Sequence, residues 1–600
     1  MFTTALGIIL LLLPFLLIFY FQNRIRGFVV VLLSLSIFHL IVALFSQYWH
    51  FFNYPFILSA HIVLNIGVIY FLIKNRARLS FKLKFNWFLV GAIIIVFFQL
   101  WSVHYFYTGQ VATINGSKTV EKSAYAYPFF SDEWVGVALT SYAINNNALP
   151  TVNPLLEAGI DNNFPNIFIG FFALLAEIFL LLQISPLVGF PMLAIVVGVL
   201  LSFLVYLFLR TNHVSNFFAA LALLLVPWIT NSGNLPGIWF LLPISGGLIF
   251  FLVSLIFLNL KSRRWAWLSG LSAVFLYPPL IVLVAPTLVG EFLLSASFDK
   301  KINKKKIVKW LGFSLLALIL TAALVFFLQP NNWSALLKIL QTSLIRDTND
   351  GGIPARFIWH VIPIILLPLA GLGIYFACKR RFWIFLIPLF ISLSYWLVYA
   401  YSLKFFIIDY GRIAYLAAIL IIISAGLGLE LLFQWLERAV PDLSRRPARF
   451  WLQLFSLALF VLLSVSYTSR DSWKNIVLRF ETEDGIYRLP TNPPVSRFLL
   501  TEDLELFKNI KQARFLSIPW KGLVVGAATG NYPLASKPSI VTNSLLDYDY
   551  FMSVDCNGKT MLAQNSFLEY VYSDEFNCAN FMEQGYSSEG FFLYKFIVNK

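Results

Sequence analysis

The chain has 600 residues, of which 59% are hydrophobic and only 12% charged, and its formal net charge is +15. Soluble domains carry about 25% charged residues, so this composition excludes an ordinary soluble protein and predicts a multi-span membrane protein. A net positive charge could indicate a nucleic-acid partner, but the location of the charge argues against one. Lys and Arg cluster in short loops between apolar segments, which is typical of the cytoplasmic loops of membrane proteins. We expect those loops to contact anionic membrane lipid instead.

Apolar segments of the length needed to cross a bilayer recur along the chain. They predict an all-α polytopic membrane protein with about fourteen transmembrane helices. The predicted spans are 1–21, 28–46, 56–73, 86–107, 187–209, 215–231, 237–259, 265–277, 279–297, 307–328, 357–377, 381–401, 412–434 and 450–467.

One further segment, 165–183, is also apolar enough to span, and hydropathy leaves its path open. If it crosses the bilayer, the basic loops at 261–264 and 300–309 fall outside while 74–84 stays inside. If it lies in the interface, or dips in and returns, all the basic loops fall on the cytoplasmic side. We favour the second arrangement, in which both termini and the long loop 108–186 are extracytoplasmic.

After Tyr467 the composition becomes that of a soluble domain. Residues 468–600 are therefore predicted to form a small extracytoplasmic α/β domain. In it, 501–513 is expected to be an amphipathic helix with Thr501 as its N-cap. Short strands are expected at 522–528, 539–544 and 590–598.

The three cysteines leave one disulfide open. Cys556 and Cys578 both belong to the C-terminal domain and could pair if that domain lies outside the cytoplasm. Cys378 lies beside a basic loop and is expected to be an ordinary reduced thiol.

Two adjacent acids, Asp132 and Glu133, open a helical stretch in the long external loop. In a purely structural interpretation, Ser131 caps a helix that begins at Asp132, because acids in a first turn favour helix formation. The context favours a further role. Trp134, Val137, Ala138 and Tyr142 share one side of the helix, as in a helix lying on a membrane surface, so a carboxylate would be held at the bilayer boundary.

This order of acidic pair, Trp, polar helix end and proline in the first large external loop resembles the GT-C superfamily of integral-membrane glycosyltransferases. Its bacterial members related to protein O-mannosyltransferases and aminoarabinose transferases are the most similar. The resemblance covers roughly 86–467. Arg210–Ser215 matches the family's cytoplasmic turn, and the Tyr277, Pro278, Pro279 hinge matches its short paired helices. The chain departs from the family in residues 1–85, which add N-terminal transmembrane helices, and in having Phe, Pro and Asn at 164–166 instead of His-Pro-Pro.

The resemblance implies a cell-envelope enzyme that moves a sugar from a polyprenyl-phosphate carrier to an extracytoplasmic glycan, lipid or protein, with inversion. It implies that Asp132 is the catalytic base and Glu133 its neighbour, with Trp134 among the residues that bind the substrate. The departing lipid phosphate needs fixed cations. The candidate external cations are Arg346, Arg356, Lys404 and Arg412, each of which could instead only anchor a helix at the interface.

Four further residues are assigned from the sequence. Asp409 is expected to pair with Arg412 structurally. Glu177 is the one acid within an apolar segment with a candidate functional role. His104 and His213 lack metal-spaced partners and are interpreted as structural, which leaves a requirement for a divalent cation open.

Two other classes of function stay open. The number of spans would suit a transporter or flippase, although the sequence has no clear repeat and no central charges. An envelope polymer ligase that holds a partner with its C-terminal domain is the third interpretation.

Overall fold

The computed structural model describes most of the chain. The described ranges are 2–76, 86–105, 107–113, 116–123, 130–156, 166–229, 238–298, 366–402, 410–439, 497–537, 545–587 and 590–597, with isolated residues between them.

The part of the chain before residue 440 is mostly helical. Its helices are α1 (Phe2–Leu12), continued by a 3-10 turn (Leu13–Tyr20), α2 (Arg24–Trp49), α3 (Tyr54–Lys74), α4 (Trp87–Tyr105), α5 (Ser131–Asn146), α6 (Ile169–Leu182), α7 (Pro186–Thr211), α8 (Asn216–Leu225), α9 (Pro243–Asn259), α10 (Arg263–Leu276), α11 (Ile281–Phe298), α12 (Leu366–Lys379), α13 (Trp383–Ser402) and α14 (Tyr410–Ala439). Two short antiparallel pairs accompany them, β1 (Tyr107–Thr113) with β2 (Gly116–Ser123), and β3 (Arg346–Asp347) with β4 (Lys404–Phe405).

Five of the described helices are long and apolar enough to cross a membrane: 2–20, 24–49, 54–74, 186–211 and 411–439. Shorter apolar helices coincide with further predicted spans, among them α4, α9 and α13. The predicted spans 307–328 and 450–467 lie almost entirely outside the described residues. A polytopic helical membrane protein is thus supported, whereas the count of fourteen spans is not confirmed.

Helix α6 occupies the segment whose path the sequence left open. Its 14 residues rise about 21 Å, less than the roughly 30 Å hydrocarbon core, so its length fits a segment that does not cross the bilayer. It does not lie on the surface, however. Helices α1, α2, α3 and α5 pack around it, and twelve of its residues are buried. Because α6 is apolar on every side, it is more stable when enclosed by other helices.

The C-terminal domain is α/β, as predicted. Its elements are α15 (Thr501–Leu506), β5 (Arg514–Ser517), α16 (Pro519–Thr529), β6 (Tyr532–Pro533), α17 (Tyr548–Ser553), α18 (Cys556–Asn565), β7 (Tyr570–Ser573), β8 (Phe581–Tyr586) and β9 (Phe592–Phe596). The strands form one sheet in the order β6-β5-β7-β9-β8, in which β6, β5 and β7 run parallel and β7, β9 and β8 are antiparallel. Cys556 and Cys578 form a disulfide.

Three local predictions for this domain have different outcomes. The strand predicted at 590–598 is confirmed as β9. The strand predicted at 522–528 is wrong, because these residues lie in α16. Pro519 in its first turn and Gly530 after its end, at φ 74°, are helix start and stop signals that outweigh the β-branched residues between them. The strand predicted at 539–544 lies outside the described residues.

The amphipathic helix predicted at 501–513 is shorter than expected. Helix α15 ends at Leu506, and Thr501 is its first helical residue rather than its N-cap, so that part of the prediction is wrong. The Asp503 carboxylate accepts a hydrogen bond from the backbone N–H of Leu500, at 2.8 Å, and so satisfies the helix start in place of a threonine hydroxyl.

Candidate active site

The predicted base and one predicted cation meet directly. The Asp132 carboxylate in the first turn of α5 accepts a hydrogen bond from Nη2 of Arg412 in the first turn of α14, at 2.9 Å. The Asp132 side chain is 30% exposed and that of Arg412 is 21% exposed, so this ion pair is accessible rather than sealed in the core. A half-buried carboxylate beside a guanidinium can accept a proton and bind a phosphate in one place.

The Tyr-Pro-Pro hinge contributes to this site. The guanidinium carbon of Arg412 lies 6.0 Å from the centre of the Tyr277 ring, a cation–π contact. Tyr277 is buried and stacks on Phe168, with ring centres 5.6 Å apart. The hinge between α10 and α11 therefore forms one wall behind Arg412, a role that the sequence did not indicate.

Glu133 has a different environment from Asp132. It is fully buried. Its Oε1 accepts from the backbone N–H of Leu241 at 2.8 Å, and its Oε2 accepts from that of Phe130 at 3.4 Å. His104 accompanies it, with Nε2 2.9 Å from the carbonyl oxygen of Trp239. Glu133 and His104 thus fix the chain before α9, which agrees with a structural role for His104.

Helix α5 is not a membrane-surface helix as predicted. Trp134 is fully buried, as are most residues of the helix from Glu133 to Thr140, because α5 packs against α6, α7 and α16. Gly136 faces the Phe190 ring so closely that a β-carbon there would overlap it. Trp134, a predicted substrate contact, is therefore a packing residue in this structure. The helix begins at Ser131, so the prediction that Ser131 is its N-cap is also wrong.

The C-terminal domain adds cations to the same end of α5. Lys537 Nζ donates to the Ser131 hydroxyl at 3.3 Å, one residue from Asp132. The same ammonium lies 4.1 Å from the centre of the Trp520 ring, and the guanidinium carbon of Arg497 lies 4.5 Å from it. Trp520 opens α16, the helix that packs on α5. Sequence reasoning missed these residues because nothing in the chain order links them to position 132.

The other predicted cations are partly described. Arg346 and Lys404 lie on paired strands, with Arg346 opposite Phe405 and Asp347 opposite Lys404, so the backbone brings these two positions together. Arg356 lies outside the described residues, as does Asp409, the predicted partner of Arg412. Asp132 is a partner of Arg412 in the described part of the chain, and the predicted pairing with Asp409 stays a prediction.

A polar cavity lies at the opposite end of the helical part. Three turns line it. They contribute Asn212 after α7, Lys261 before α10 and Arg380 after α12, and α11 contributes Glu291. At the same end, the Glu430 carboxylate of α14 accepts from the backbone N–H of Ser215 at 2.9 Å. Since α14 rises about 27 Å between Arg412 and Glu430, the basic turns and the Asp132 site lie at opposite ends of the molecule.

Comparisons with known proteins found one family model that matches part of the chain, and a set of similar structures. A protein family of unknown function (DUF6541) matches residues 268–537, a segment that contains Arg412 and Lys537. A search of curated proteins found no significant match. The apo crystal structure of the Archaeoglobus fulgidus oligosaccharyltransferase is similar at 15% identity and a TM-score of 0.49, over 82% of this chain and 70% of that one. The same protein tethered to an acceptor peptide containing the NVT sequon is similar at 14% identity and a TM-score of 0.46, over 85% and 74%.

Proposed function

We propose that this protein is a membrane glycosyltransferase that moves a sugar from a polyprenyl-phosphate carrier to an extracytoplasmic acceptor, with Asp132 as the general base. The observation that carries the proposal is the accessible pair of Asp132 and Arg412, with Lys537 at the neighbouring residue. It unites a proton acceptor and phosphate-binding cations at one end of a helical membrane protein.

The reaction assigns one task to each group. An acceptor hydroxyl attacks the anomeric carbon of the donor sugar, and the bond from that carbon to the phosphate oxygen breaks. The polyprenyl phosphate leaves with the electron pair, while Asp132 takes the hydroxyl proton. A positioned carboxylate contributes about 10²- to 10⁴-fold to such a step. We assign Glu133 to support of the site, because both of its oxygens accept backbone N–H groups.

Arg412 and Lys537 are the proposed ligands of the leaving phosphate. The guanidinium has five N–H donors in a planar fork, which suits contact with a carboxylate and a phosphate together. Fixed cations stabilise the negative charge that develops on the phosphate as the sugar departs. Arg346, Arg356 and Lys404 stay candidates for further donor contacts.

The location of the C-terminal domain supports an extracytoplasmic reaction. Disulfides such as Cys556–Cys578 form in oxidising compartments outside the cytoplasm. Lys537 belongs to the same domain and contacts Ser131, so the domain and Asp132 share one side of the membrane. Trp520 contacts both Arg497 and Lys537, and we assign this half-buried group beside the site to the acceptor.

The direct test measures sugar transfer by purified protein in liposomes. A panel of radiolabelled polyprenyl-phosphate sugars is the donor set, and release of polyprenyl phosphate reports donor consumption whether or not the acceptor is known. We expect Asp132→Asn to lower donor consumption about 10²- to 10⁴-fold.

Glu505→Gln is the matched control, because Glu505 is an exposed acid on α15, in a domain that contacts the site. Its activity should equal that of the wild type. Equal activity of Asp132→Asn at matched expression would remove Asp132 from the chemistry. Sugar uptake into the liposomes without donor consumption would instead support a transporter.

A further inference from the structure

A second cluster of titratable side chains lies among helices α2, α3 and α6. His39 of α2 and His61 of α3 both face Glu177 of α6. His39 Nδ1 lies 2.8 Å from Glu177 Oε2, and His61 Nε2 lies 2.5 Å from Glu177 Oε1. His61 and Glu177 are fully buried and His39 is 7% exposed. The cluster therefore sits inside the helical part, at the junction of three helices.

Charge balance is the first reason to expect a bound cation. With both imidazoles neutral, the cluster carries the single negative charge of Glu177 in apolar surroundings, where an uncompensated carboxylate is costly. The nearest helix residues supply no other charge, since α6 contains no basic residue and its remaining thirteen residues are apolar. A proton, on an imidazole or on Glu177 itself, or a metal ion must supply the compensating positive charge.

The set of donor atoms favours a metal. We propose that His39, His61 and Glu177 form a binding site for a Zn²⁺-class transition-metal ion, which joins the α2–α3 hairpin to α6. Imidazole nitrogen and carboxylate oxygen are ligands that such ions prefer. The three donor side chains come from three helices whose packing already brings them together, so no loop has to be ordered when the ion binds.

The geometry allows four donor atoms. Each carboxylate oxygen of Glu177 faces a different imidazole, so both oxygens point toward the space between the rings. The ring centres of His39 and His61 are 4.5 Å apart and the rings are tilted by 41°. The candidate ligand atoms all lie within 4.8 Å of one another. Two ligands of a tetrahedral zinc ion, each about 2.1 Å from it, lie about 3.4 Å apart, so shifts of up to about 1.5 Å, which include a lengthening of the two N···O contacts, would complete the site.

The position of the cluster explains what the ion would do. The α2–α3 hairpin touches the loop after α5 through Gln47, whose Oε1 accepts from the backbone N–H of Leu149 at 2.7 Å. The backbone N–H of Phe52 in the hairpin turn also donates to the Asn147 carbonyl. A metal ion at Glu177 would add a third attachment of the hairpin, about 10 Å along α3 from its turn. It would hold α6 against the added N-terminal helices.

The test measures metal content in the full-length protein, purified in detergent without a histidine tag. After treatment with a chelator, Zn²⁺ is added and unbound ion is removed. We expect about one equivalent of zinc per chain in the wild type, and a Tm that rises with added Zn²⁺ because the ion binds the folded state. His61→Gln and Glu177→Gln should lose both the bound zinc and the rise in Tm. His50→Asn is the matched control, because His50 lies exposed in the turn of the same hairpin.

Co²⁺ provides a second measurement that needs no variant. Wild-type protein should give the intense visible absorption of four-coordinate cobalt and lose it when zinc is added. Wild-type protein that retains no zinc, has an unchanged Tm and gives no such cobalt spectrum would overturn the metal site and leave a protonated His–Glu–His cluster. Zinc binding that is equal in wild type and in folded His61→Gln would overturn it as well.

Discussion

The candidate active site joins residues that are far apart in sequence. Asp132 and Arg412 are 280 positions apart, and Lys537 is 406 positions from Ser131. The acid at 132 could be selected from the sequence, because two adjacent carboxylates in an apolar chain are unusual. Its partner could not, since Asp409 stands three residues from Arg412 and local pairing was the simpler expectation. Arg412 reaches Asp132 because α14 and α5 both pack on α7.

Arg412 and Lys537 should differ in what they contribute. Arg412→Lys keeps the charge but loses the planar fork, and we expect kcat/KM for the lipid donor to fall about 10- to 100-fold. Lys537→Met removes one cation and should lower kcat/KM by a similar or smaller factor. Both are measured as initial rates of polyprenyl-phosphate release over a range of donor concentrations.

Lys508→Met is the control for a lost surface charge, because Lys508 is exposed in the same domain. It should leave the rates unchanged. An Arg412→Lys variant with wild-type kcat/KM would exclude a bidentate contact with the phosphate.

At the scale of helices, the position of Arg412 depends on the tight crossing of α12 and α14. A β-carbon on Gly373 would overlap the carbonyl oxygen of Ser424, and one on Gly428 would overlap that of Leu369. Small residues let helix backbones approach in this way inside membranes. The two glycines are therefore required by packing, a role that was not predicted from the sequence.

Gly373→Ala should force α12 and α14 apart. We expect a loss of about 1 to 3 kcal/mol in the free energy of unfolding, by overpacking, and a lower transfer rate because α14 carries Arg412. The loss of stability is measured by thermal unfolding in detergent, with size-exclusion chromatography as the readout of folded protein. Gly371→Ala is the control on the same helix, since a β-carbon there meets nothing within 4 Å. Equal loss of stability in both variants would contradict a local clash.

In the C-terminal domain, a buried ion pair holds α15, α16 and β7 together. Lys521 Nζ lies 2.7 Å from Asp503 Oδ2, and neither side chain is exposed. Tyr572 donates its hydroxyl to the other oxygen of Asp503. Burial and the neighbouring Asp503 carboxylate raise the pKa of Tyr572 above its ordinary value, so it stays a neutral donor.

Lys521→Met should destabilise this domain by about 3 to 5 kcal/mol, because it leaves the Asp503 charge buried without its partner. The double variant Lys521→Met and Asp503→Leu should recover part of that loss, since no charge is then buried. Hydrogen exchange of β7 in the full-length protein measures both. If the double variant recovers no stability, the ion pair stabilises the domain by more than the neutralisation of its two charges.

For the whole molecule, sequence patterns gave the class of protein and the division into a helical part and a C-terminal α/β domain. Hydropathy predicts individual spans because each depends on about 20 consecutive residues. The enclosure of α6 could not be predicted in the same way, since it depends on α1, α2 and α3 packing around it. His39 and His61 were likewise not linked to Glu177, because they lie on separate helices.

The proposed orientation in the membrane predicts which cysteine thiols a reagent added outside the cell can reach. Cys378 is free and exposed at the end of α12, on the helix that crosses α14 near Glu430. In intact cells, a membrane-impermeant maleimide should label an introduced Glu505→Cys but leave Cys378 unlabelled until the membrane is permeabilised. Cys378→Ser identifies its signal. Labelling of Cys378 in intact cells would reverse the proposed orientation.

The sequence separation of Asp132, Arg412 and Lys537 also determines when the candidate site is completed during synthesis of the chain. Asp132 is made early, Arg412 much later and Lys537 near the end, so a nascent chain has no complete candidate site until the C-terminal domain has been made and has docked on α5. A chain that ends before residue 537 lacks one of the two proposed phosphate ligands and the contact of Lys537 with Ser131. Under the proposed function, such an incomplete chain would therefore consume carrier lipid more slowly than the finished protein.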